Sequence, residues 1–208
     1  MYTRYIKRCI DVVFSFLGLL VLLLPMLVIA IVIKLDTPGP VFFKQKRVGE
    51  NKKYFYIYKF RSMPLEVPKD VPTHLFNAVD MLTPWQRFMR KASLDELPQM
   101  INILKGDMSI VGPRPALWNQ YDLIEERDRY DANDVKPGLT GWAQINGRDE
   151  LDIPVKAQLD GEYVEKICFM FDVKCFLLSI KSVLKHDGFV ESAAAEDNTA
   201  ITEKDLVK

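Results

Sequence analysis

Two neighbouring acids, Asp95 and Glu96, lie in the segment SLDELPQ at 93–99. Pro98 suits the first turn of a helix, so the pattern predicts a helix that begins near Asp95. The positive end of a helix favours anions and keeps nearby carboxylates ionised. An ionised Asp95 could attack phosphorus, and Glu96 could help to hold a metal ion. The alternative is that Ser93 and Glu96 form an ordinary capping box, which needs no function.

Basic residues recur in short segments that proline or glycine makes stiff. They are Lys59 and Arg61 in YKFRSM, Arg90 before the acids, Arg114 in GPRP and Arg148 in NGRD. A guanidinium between two prolines is a pre-organised ligand for phosphate oxygens. Together with the acid pair, these residues indicate a diphosphate substrate bound with a divalent cation. The sequence has no glycine-rich loop of the Walker or dinucleotide type.

Overall charge gives little information, because 28 Lys and Arg balance 28 Asp and Glu. The distribution is more informative, since basic residues outnumber acidic ones over residues 1–70. This basic end coincides with the most apolar part of the chain, which suits an anionic lipid surface. The three cysteines have no CxxC spacing, so structural zinc and a disulfide framework are both unexpected.

The segment VVFSFLGLLVLLLPMLVIAIVI at 12–33 has no charged residue and contains Pro25. As one straight helix it would be about 33 Å long, enough to cross a hydrocarbon core of about 30 Å. Pro25 cannot donate to the carbonyl of Val21, so a bend or break is expected there, and neither piece alone would cross. Basic residues on both flanks place both ends in the cytoplasm. This favours a re-entrant helix-break-helix anchor over the alternative, a kinked transmembrane helix.

The remaining pattern predicts an α+β, mostly helical protein with a re-entrant anchor at 1–35, a compact catalytic domain at 36–187 and a polar tail at 188–208. PVFFKQKRV and KYFYIYKFRSM predict a β-hairpin, either at headgroup level or packed on a core. Four prolines at 64–84 predict a long loop. Helices are predicted over TPWQRFMRKA, 155–169 and 172–186, the last of them amphipathic and suited to an interface.

Several motifs resemble those of a known family. KRCID, KFRSM, SLDELPQMINILKGDMSIVGPRP and KPGLTGWAQINGR are similar to segments of the bacterial sugar transferases, and more narrowly of the small monotopic phosphoglycosyl transferases. The resemblance covers roughly residues 1–187, and its block at 93–115 is long and specific.

The resemblance implies transfer of a phospho-sugar from a UDP-sugar to undecaprenyl phosphate, with release of UMP, at the start of surface glycan assembly. In such a reaction Asp95 would be the nucleophile and form a covalent aspartyl phospho-sugar. Glu96 would be its acidic partner, and the pair would hold Mg²⁺. The other implied roles are phosphate contacts for Lys59, Arg61, Arg90 and Arg114, nucleotide binding for Gly138, Gly141 and Arg148, and membrane anchoring for Lys7, Arg8, Asp11 and Pro25.

The resemblance also implies a monotopic protein on the cytoplasmic face of the bacterial inner membrane, in contact with membrane lipids. No nucleic-acid partner is expected, and exposed apolar helix faces leave a homodimer open. Two other functions compete: a membrane-anchored scaffold without catalysis, and a glycosyltransferase that transfers the sugar without its phosphate. The released nucleotide separates the three functions. The phospho-sugar transferase would release UMP, the glycosyltransferase would release UDP, and the scaffold would release neither.

Overall fold

The structure, a computed structural model, describes residues 2–67, 81–147 and 151–185. These residues are mostly helical, with two small two-stranded sheets. The helices are α1 (Lys7–Asp36), α2 (Pro84–Lys91), α3 (Gln99–Lys105), α4 (Tyr121–Asp128), α5 (Trp142–Ile145), α6 (Ile153–Lys166) and α7 (Phe169–Lys185). The strands are β1 (Phe42–Val48), β2 (Tyr54–Phe60), β3 (Ser109–Val111) and β4 (Gly138–Thr140). The predicted α+β, mostly helical class is confirmed.

α1 is a single helix of 30 residues that continues through Pro25. Of the two outcomes expected at Pro25, the break into two helices is therefore wrong, and the bend stays a prediction. Proline removes one donor from a helix, and the hydrogen bonds on either side keep the segment helical. By length and composition α1 could cross a membrane, and its apolar side chains are largely exposed.

Both ends of α1 are attached to the same folded domain. Near its start, the Asp11 carboxylate accepts hydrogen bonds from the Ser109 hydroxyl at 3.0 Å and the Ile110 N–H at 2.9 Å. Near its end, Ile29 and Ile33 are buried in a core cluster to which β2 and α2 also contribute. The exposed apolar middle of α1 thus lies between two fixed ends.

β1 and β2 form the predicted antiparallel hairpin, in which Phe43 pairs with Lys59 and Gln45 pairs with Ile57. Because side chains alternate between the faces of a strand, Gln45, Arg47 and Lys59 project from the same face. Ile57 on this face is buried in the core. The hairpin is therefore packed on the domain by the face that also carries Lys59.

α3 is held between β2 and α1. The fully buried Asn102 amide donates to the Tyr56 carbonyl at 2.8 Å and accepts from the Tyr58 N–H at 2.9 Å. α3 ends at Gly106, whose φ of 94° is left-handed and favours glycine. Arg8 of α1 donates to the carbonyls of Ile103 and Leu104 in the last turn of α3. The chain that follows the two acids is thereby fixed on both sides.

The predicted helix starts are only partly right. Pro84 begins α2 as predicted, and α6 and α7 each begin before the predicted residue. The helix expected from Asp95 instead opens as a 3-10 turn, Leu94–Glu96, and α3 starts at Gln99. The cause is Pro98, which cannot donate to the Leu94 carbonyl, so that Leu97 donates there at 3.4 Å and closes a tighter turn.

Some predictions concern residues outside the described ranges. These are the central part of the 64–84 loop, from 68 to 80, together with Arg148 and the polar tail at 188–208.

Candidate active site

The turn that carries the two acids begins at Ser93, whose backbone is left-handed, with φ of 54° and ψ of 23°. Its side chain makes no capping hydrogen bond, so the interpretation of Ser93 and Glu96 as a capping box is wrong. A residue other than glycine in this conformation stores strain of order 1–3 kcal/mol, and such strain is concentrated at functional sites. Ser93 turns the chain so that the acids face the hairpin.

Asp95 is buried, with 8% of its surface exposed. The Ser62 hydroxyl, just after β2, donates to Asp95 Oδ2 at 3.1 Å. Burial raises the pKa of Asp95, and the charge of Glu96 adds to the rise, while the positive charges of Lys59 and Arg90 oppose it. A carboxylate that is poorly hydrated and faces two cations has the character of a nucleophile.

Glu96 connects two separate segments of basic residues. Its Oε1 accepts hydrogen bonds from Lys59 Nζ on β2 at 2.8 Å and from Arg114 Nη2 at 3.1 Å. Burial lowers the pKa of Lys59, the positive charge of Arg114 adds to this, and the negative charges of Glu96 and Asp95 oppose it. Glu96 thereby brings Lys59 and Arg114 together beside Asp95.

A cavity of about 300 Å³ is lined by Asp95, and we refer to it as the basic cavity. Among the residues that the structure describes, six basic side chains line it: Lys44, Arg47, Lys59, Arg61, Arg90 and Arg114. Asp95 is the acid in this described lining. The excess of positive charge around one buried carboxylate suits a ligand with several negative charges, such as a diphosphate.

Sequence reasoning missed Arg47, which lines the basic cavity from β1. Its guanidinium donates to Gln45 Oε1 through Nε at 3.0 Å and to the Pro115 carbonyl through Nη1 at 2.9 Å. Arg47 therefore ties the hairpin to the GPRP segment that carries Arg114. Strand alternation could have found it, because positions 45, 47 and 59 share one face of the hairpin.

Comparison with known proteins identifies the family. A family model described as bacterial sugar transferase matches residues 2–186. The chain belongs to the bacterial sugar transferase family. The family prediction made from KFRSM, GPRP and the neighbouring motifs is confirmed.

Individual relatives agree with this assignment. The chain is 44% identical to an uncharacterized sugar transferase, EpsL, of Bacillus subtilis. The alignment spans 161 residues and covers 77% of this chain and 78% of that protein. It is 41% identical over 199 residues to the UDP-glucose:undecaprenyl-phosphate glucose-1-phosphate transferase of Escherichia coli, which covers 92% of this chain and 42% of that protein. It is 34% identical over 202 residues to the undecaprenyl-phosphate galactose phosphotransferase of Salmonella typhimurium, covering 89% of this chain and 42% of that protein. The chain thus spans less than half of these two longer relatives.

In this sugar transferase, the Arg61 side chain forms hydrogen bonds to other residues of the protein. Its terminal nitrogens donate to the Pro38 carbonyl at 2.5 Å and to the carbonyl and hydroxyl of Thr37 at 2.7 and 2.9 Å. Thr37 directly follows α1, so Arg61 attaches the end of α1 to the wall of the basic cavity. A phosphate contact through Arg61, as predicted, would have to compete with these three hydrogen bonds.

Two glycines predicted to bind the nucleotide are required by close backbone packing in the transferase fold. Gly138 and Gly141 pack directly against the backbone of Gly112, and a Cβ on either would overlap it. β3 and β4 run parallel here, with Ser109 opposite Gly138. The glycines thus let the GPRP segment lie against β4, and a role in nucleotide binding stays a prediction.

Three of the four residues predicted to anchor α1 at the lipid headgroups contact other parts of the folded protein. Lys7 forms an ion pair with Asp172 of α7 at 2.6 Å, with both side chains largely buried. Arg8 caps α3, and Asp11 binds the start of β3, as described above. Pro25 is exposed in the middle of α1. The three charged residues thus attach the helix to the rest of the protein, and their contact with lipid headgroups stays a prediction.

The acid pair of the transferase fits a Mg²⁺ ion in part. Mg²⁺ prefers oxygen ligands and commonly takes one or two carboxylates, with water and substrate phosphates as its other ligands. Within the described part of the chain, His, Cys, Asp and Glu do not form a group of three or more that could hold a metal. The donor set of Asp95 and Glu96 therefore suits an ion that phosphate and water complete.

We predict that Asp95→Asn leaves the melting temperature of the transferase unchanged or raises it by a few degrees. The raised pKa means that the charged carboxylate is less stable here than in water, and the amide oxygen can still accept from Ser62. A gain of about 1 kcal/mol corresponds to about 2–4 °C for a chain of this size. Thermal unfolding in nanodiscs, followed by tryptophan fluorescence, measures it.

The matched control is Asp172→Asn, because Asp172 is also 8% exposed but accepts hydrogen bonds from Lys7, Tyr2 and Tyr163. Removing its charge leaves the largely buried Lys7 unpaired and is expected to lower the free energy of unfolding by about 3 kcal/mol.

The pH dependence of stability gives a second measurement. The pKa of Asp95 is higher in the folded than in the unfolded protein, so wild-type stability should rise as the pH falls toward the unfolded pKa, and Asp95→Asn should remove this rise. An equal loss in both variants would make Asp95 a structural residue.

Proposed function

We propose that the protein transfers a phospho-sugar from a UDP-sugar to undecaprenyl phosphate, releases UMP and so initiates assembly of a surface glycan. Family membership and the activities of the Escherichia coli and Salmonella typhimurium relatives support the reaction class. The observation that carries the proposal is the buried Asp95 carboxylate in a cavity lined by six basic side chains. A glycosyltransferase that breaks the sugar–phosphate bond has no need of a nucleophile aimed at phosphorus.

In the first step, an Asp95 carboxylate oxygen attacks the phosphorus that carries the sugar. The new bond joins Asp95 to this phosphorus, and the bond between the two phosphates breaks, so that UMP leaves with the bridging oxygen. Lys59, Arg90 and Arg114 bind the phosphate oxygens, whose negative charge increases toward the leaving group. Because Lys59 and Arg114 are held by Glu96, they need little reorganisation when the substrate arrives.

In the second step, an oxygen of undecaprenyl phosphate attacks the same phosphorus on Asp95. The bond to Asp95 breaks, the carboxylate is restored and undecaprenyl diphosphate sugar leaves. Covalent catalysis divides the transfer into two displacements, so the donor and the acceptor phosphate use the basic cavity in turn. Asp95 and Glu96 would hold Mg²⁺, which when bound supplies positive charge to the phosphates.

The attachment of α1 at both ends supports a re-entrant, monotopic anchor. A straight helix of 30 residues is about 45 Å long, and a transmembrane course would carry one end across about 30 Å of hydrocarbon. Asp11 near the start and Ile33 near the end both contact the same folded domain, which favours a course that bends at Pro25 and returns to the side from which it entered. The protein then lies on the cytoplasmic face of the inner membrane, where the positive-inside rule also places its basic flanks.

We expect Asp95→Asn to lower UMP release from a panel of UDP-sugars by at least about 1,000-fold, since the amide cannot act as the nucleophile. The assay contains undecaprenyl phosphate and Mg²⁺, and it separates UMP from UDP by chromatography. Asp128→Asn is the control, because Asp128 is an exposed acid that pairs with Lys52. UDP as the product would favour the glycosyltransferase alternative, and near-normal UMP release by Asp95→Asn would exclude Asp95 as nucleophile.

The rate of UMP release should depend on pH as a bell-shaped curve. Protonated Asp95 cannot attack, and its raised pKa places the acid limb above the ordinary range of an aspartate. Lys59 loses its positive charge at high pH, and its lowered pKa places the alkaline limb below the ordinary range of a lysine. Lys59→Arg should move only the alkaline limb upward, because arginine stays protonated. An unmoved alkaline limb in that variant would mean that another group titrates.

Epitope tags at residue 1 and residue 208 should both face the cytoplasm. They are expected to resist protease in intact spheroplasts and to be cleaved in inverted membrane vesicles. A tag carried by a secreted periplasmic protein serves as the control for spheroplast integrity. Cleavage of the N-terminal tag in intact spheroplasts would exclude the re-entrant anchor.

A further inference from the structure

A second cavity, of about 310 Å³, is lined by Glu96, the chain neighbour of Asp95, and we call it the apolar groove. Ser93 also lines it. Its other lining side chains are mostly apolar and come from the turn before α3 and from α3, β3, β4, α5 and α7; they include Leu97, Met100, Leu139, Ile145, Phe176 and Ile180. Glu96 lines the groove while its Oε1 binds Lys59 and Arg114 of the basic cavity. The two cavities thus meet at the acid pair.

Part of the polar lining of the groove is bonded within the protein. The hydroxyls of Thr140 and Ser179 form a hydrogen bond with each other, and Ser179 also donates to the Cys175 carbonyl at 2.8 Å. The Gln144 amide donates to the Leu139 carbonyl at 3.2 Å, while its buried Oε1 has no hydrogen-bond partner among the described residues. The bonded hydroxyls can contact hydrocarbon without losing hydrogen bonds. The groove therefore suits an apolar ligand better than a sugar or a nucleotide.

The walls of the groove continue into the apolar surface of the protein. Met100 of α3 contacts α1 at Gly18, and the apolar residues of α1 around Gly18 are exposed. α7 exposes Leu177 and Ile180, with 59% and 44% of their surface accessible. Lining residues of the groove on α3 and α7 therefore lie beside exposed apolar side chains.

We propose that the apolar groove binds the isoprenoid chain of the acceptor lipid next to its phosphate. This inference rests on the proposed function, since it assumes that a polyprenyl phosphate is the acceptor. The lipid phosphate must reach Asp95, and the first isoprene units must then lie on an apolar surface that begins at the acid pair. The groove provides that surface, whereas the basic cavity, with six cations, does not. Recognition of the acceptor thus involves its chain as well as its phosphate.

The test compares two substitutions on α7 that remove similar apolar side chains. Ile180→Asn lies in the groove, and Leu177→Asn, its matched control, lies on the same helix outside the lining. Both variants are assayed as full-length protein in nanodiscs with a UDP-sugar panel. The KM for undecaprenyl phosphate should rise about tenfold in Ile180→Asn, because the variant loses part of an apolar contact, and a tenfold change corresponds to about 1.4 kcal/mol. The burst of UMP from the donor alone should stay unchanged in both variants.

A second measurement does not depend on any variant. Farnesyl phosphate carrying a benzophenone is photo-crosslinked to the wild-type protein, and the labelled peptides are mapped by mass spectrometry. Label is expected on α3 and α7, and undecaprenyl phosphate should displace it at concentrations where phosphatidic acid does not. Equal displacement by phosphatidic acid would make the groove a general lipid contact and would overturn the proposal.

The outcomes separate this inference from the proposed function. Equal KM values for Ile180→Asn and Leu177→Asn, or label located away from the groove, would overturn the assignment of the groove while UMP release continued. Absence of UMP release by the wild type with every UDP-sugar tested would instead remove the proposed function.

Discussion

The repulsion between two carboxylates that are adjacent in the chain, the buried Asp95 and the half-buried Glu96, is the constraint on which the rest of the site depends. Burial and the second charge both work against ionisation of Asp95. The domain compensates with cations from separate elements, Lys59 on β2 and Arg114 in the GPRP segment, which meet at Glu96. The hairpin, the Asn102 bonds that join it to α3 and the close packing at Gly112 all keep these cations in place.

Sequence reasoning predicted much of the site, because the chemistry of the acid pair and of the cations in rigid segments is visible in the residue types. Asp95, Lys59, Arg90 and Arg114 all line one cavity. The sequence could not separate cations that face the cavity from cations that bind the protein itself. Arg61 uses both terminal nitrogens within the protein, and this depends on where the end of α1 lies. That position is a property of tertiary packing.

The backbone conformations at Ser93 and at Pro25 also differ from those that the local sequence predicts. The S-x-x-E pattern of Ser93 and Glu96 predicts a capping box, but tertiary ion pairs to Glu96 are stronger than a local cap and the turn forms differently. Likewise, Pro25 predicts a break, yet α1 stays helical because a single missing donor is a small perturbation in a long helix. Hydrophobic periodicity found the long helices well, since α6 and α7 bury one side against the domain.

Arg61 and Ser62 are adjacent in the chain and bind different parts of the protein. Arg61 donates hydrogen bonds to Thr37 and Pro38 just after α1, and Ser62 donates one to the Asp95 carboxylate. Asp95 is therefore connected to the end of α1 through two residues that are adjacent in the chain. In the proposed mechanism a tilt of α1 would be passed to the reacting carboxylate, so bilayer thickness and lateral pressure would affect catalysis, and detergent extraction would perturb the carboxylate as well as the anchor.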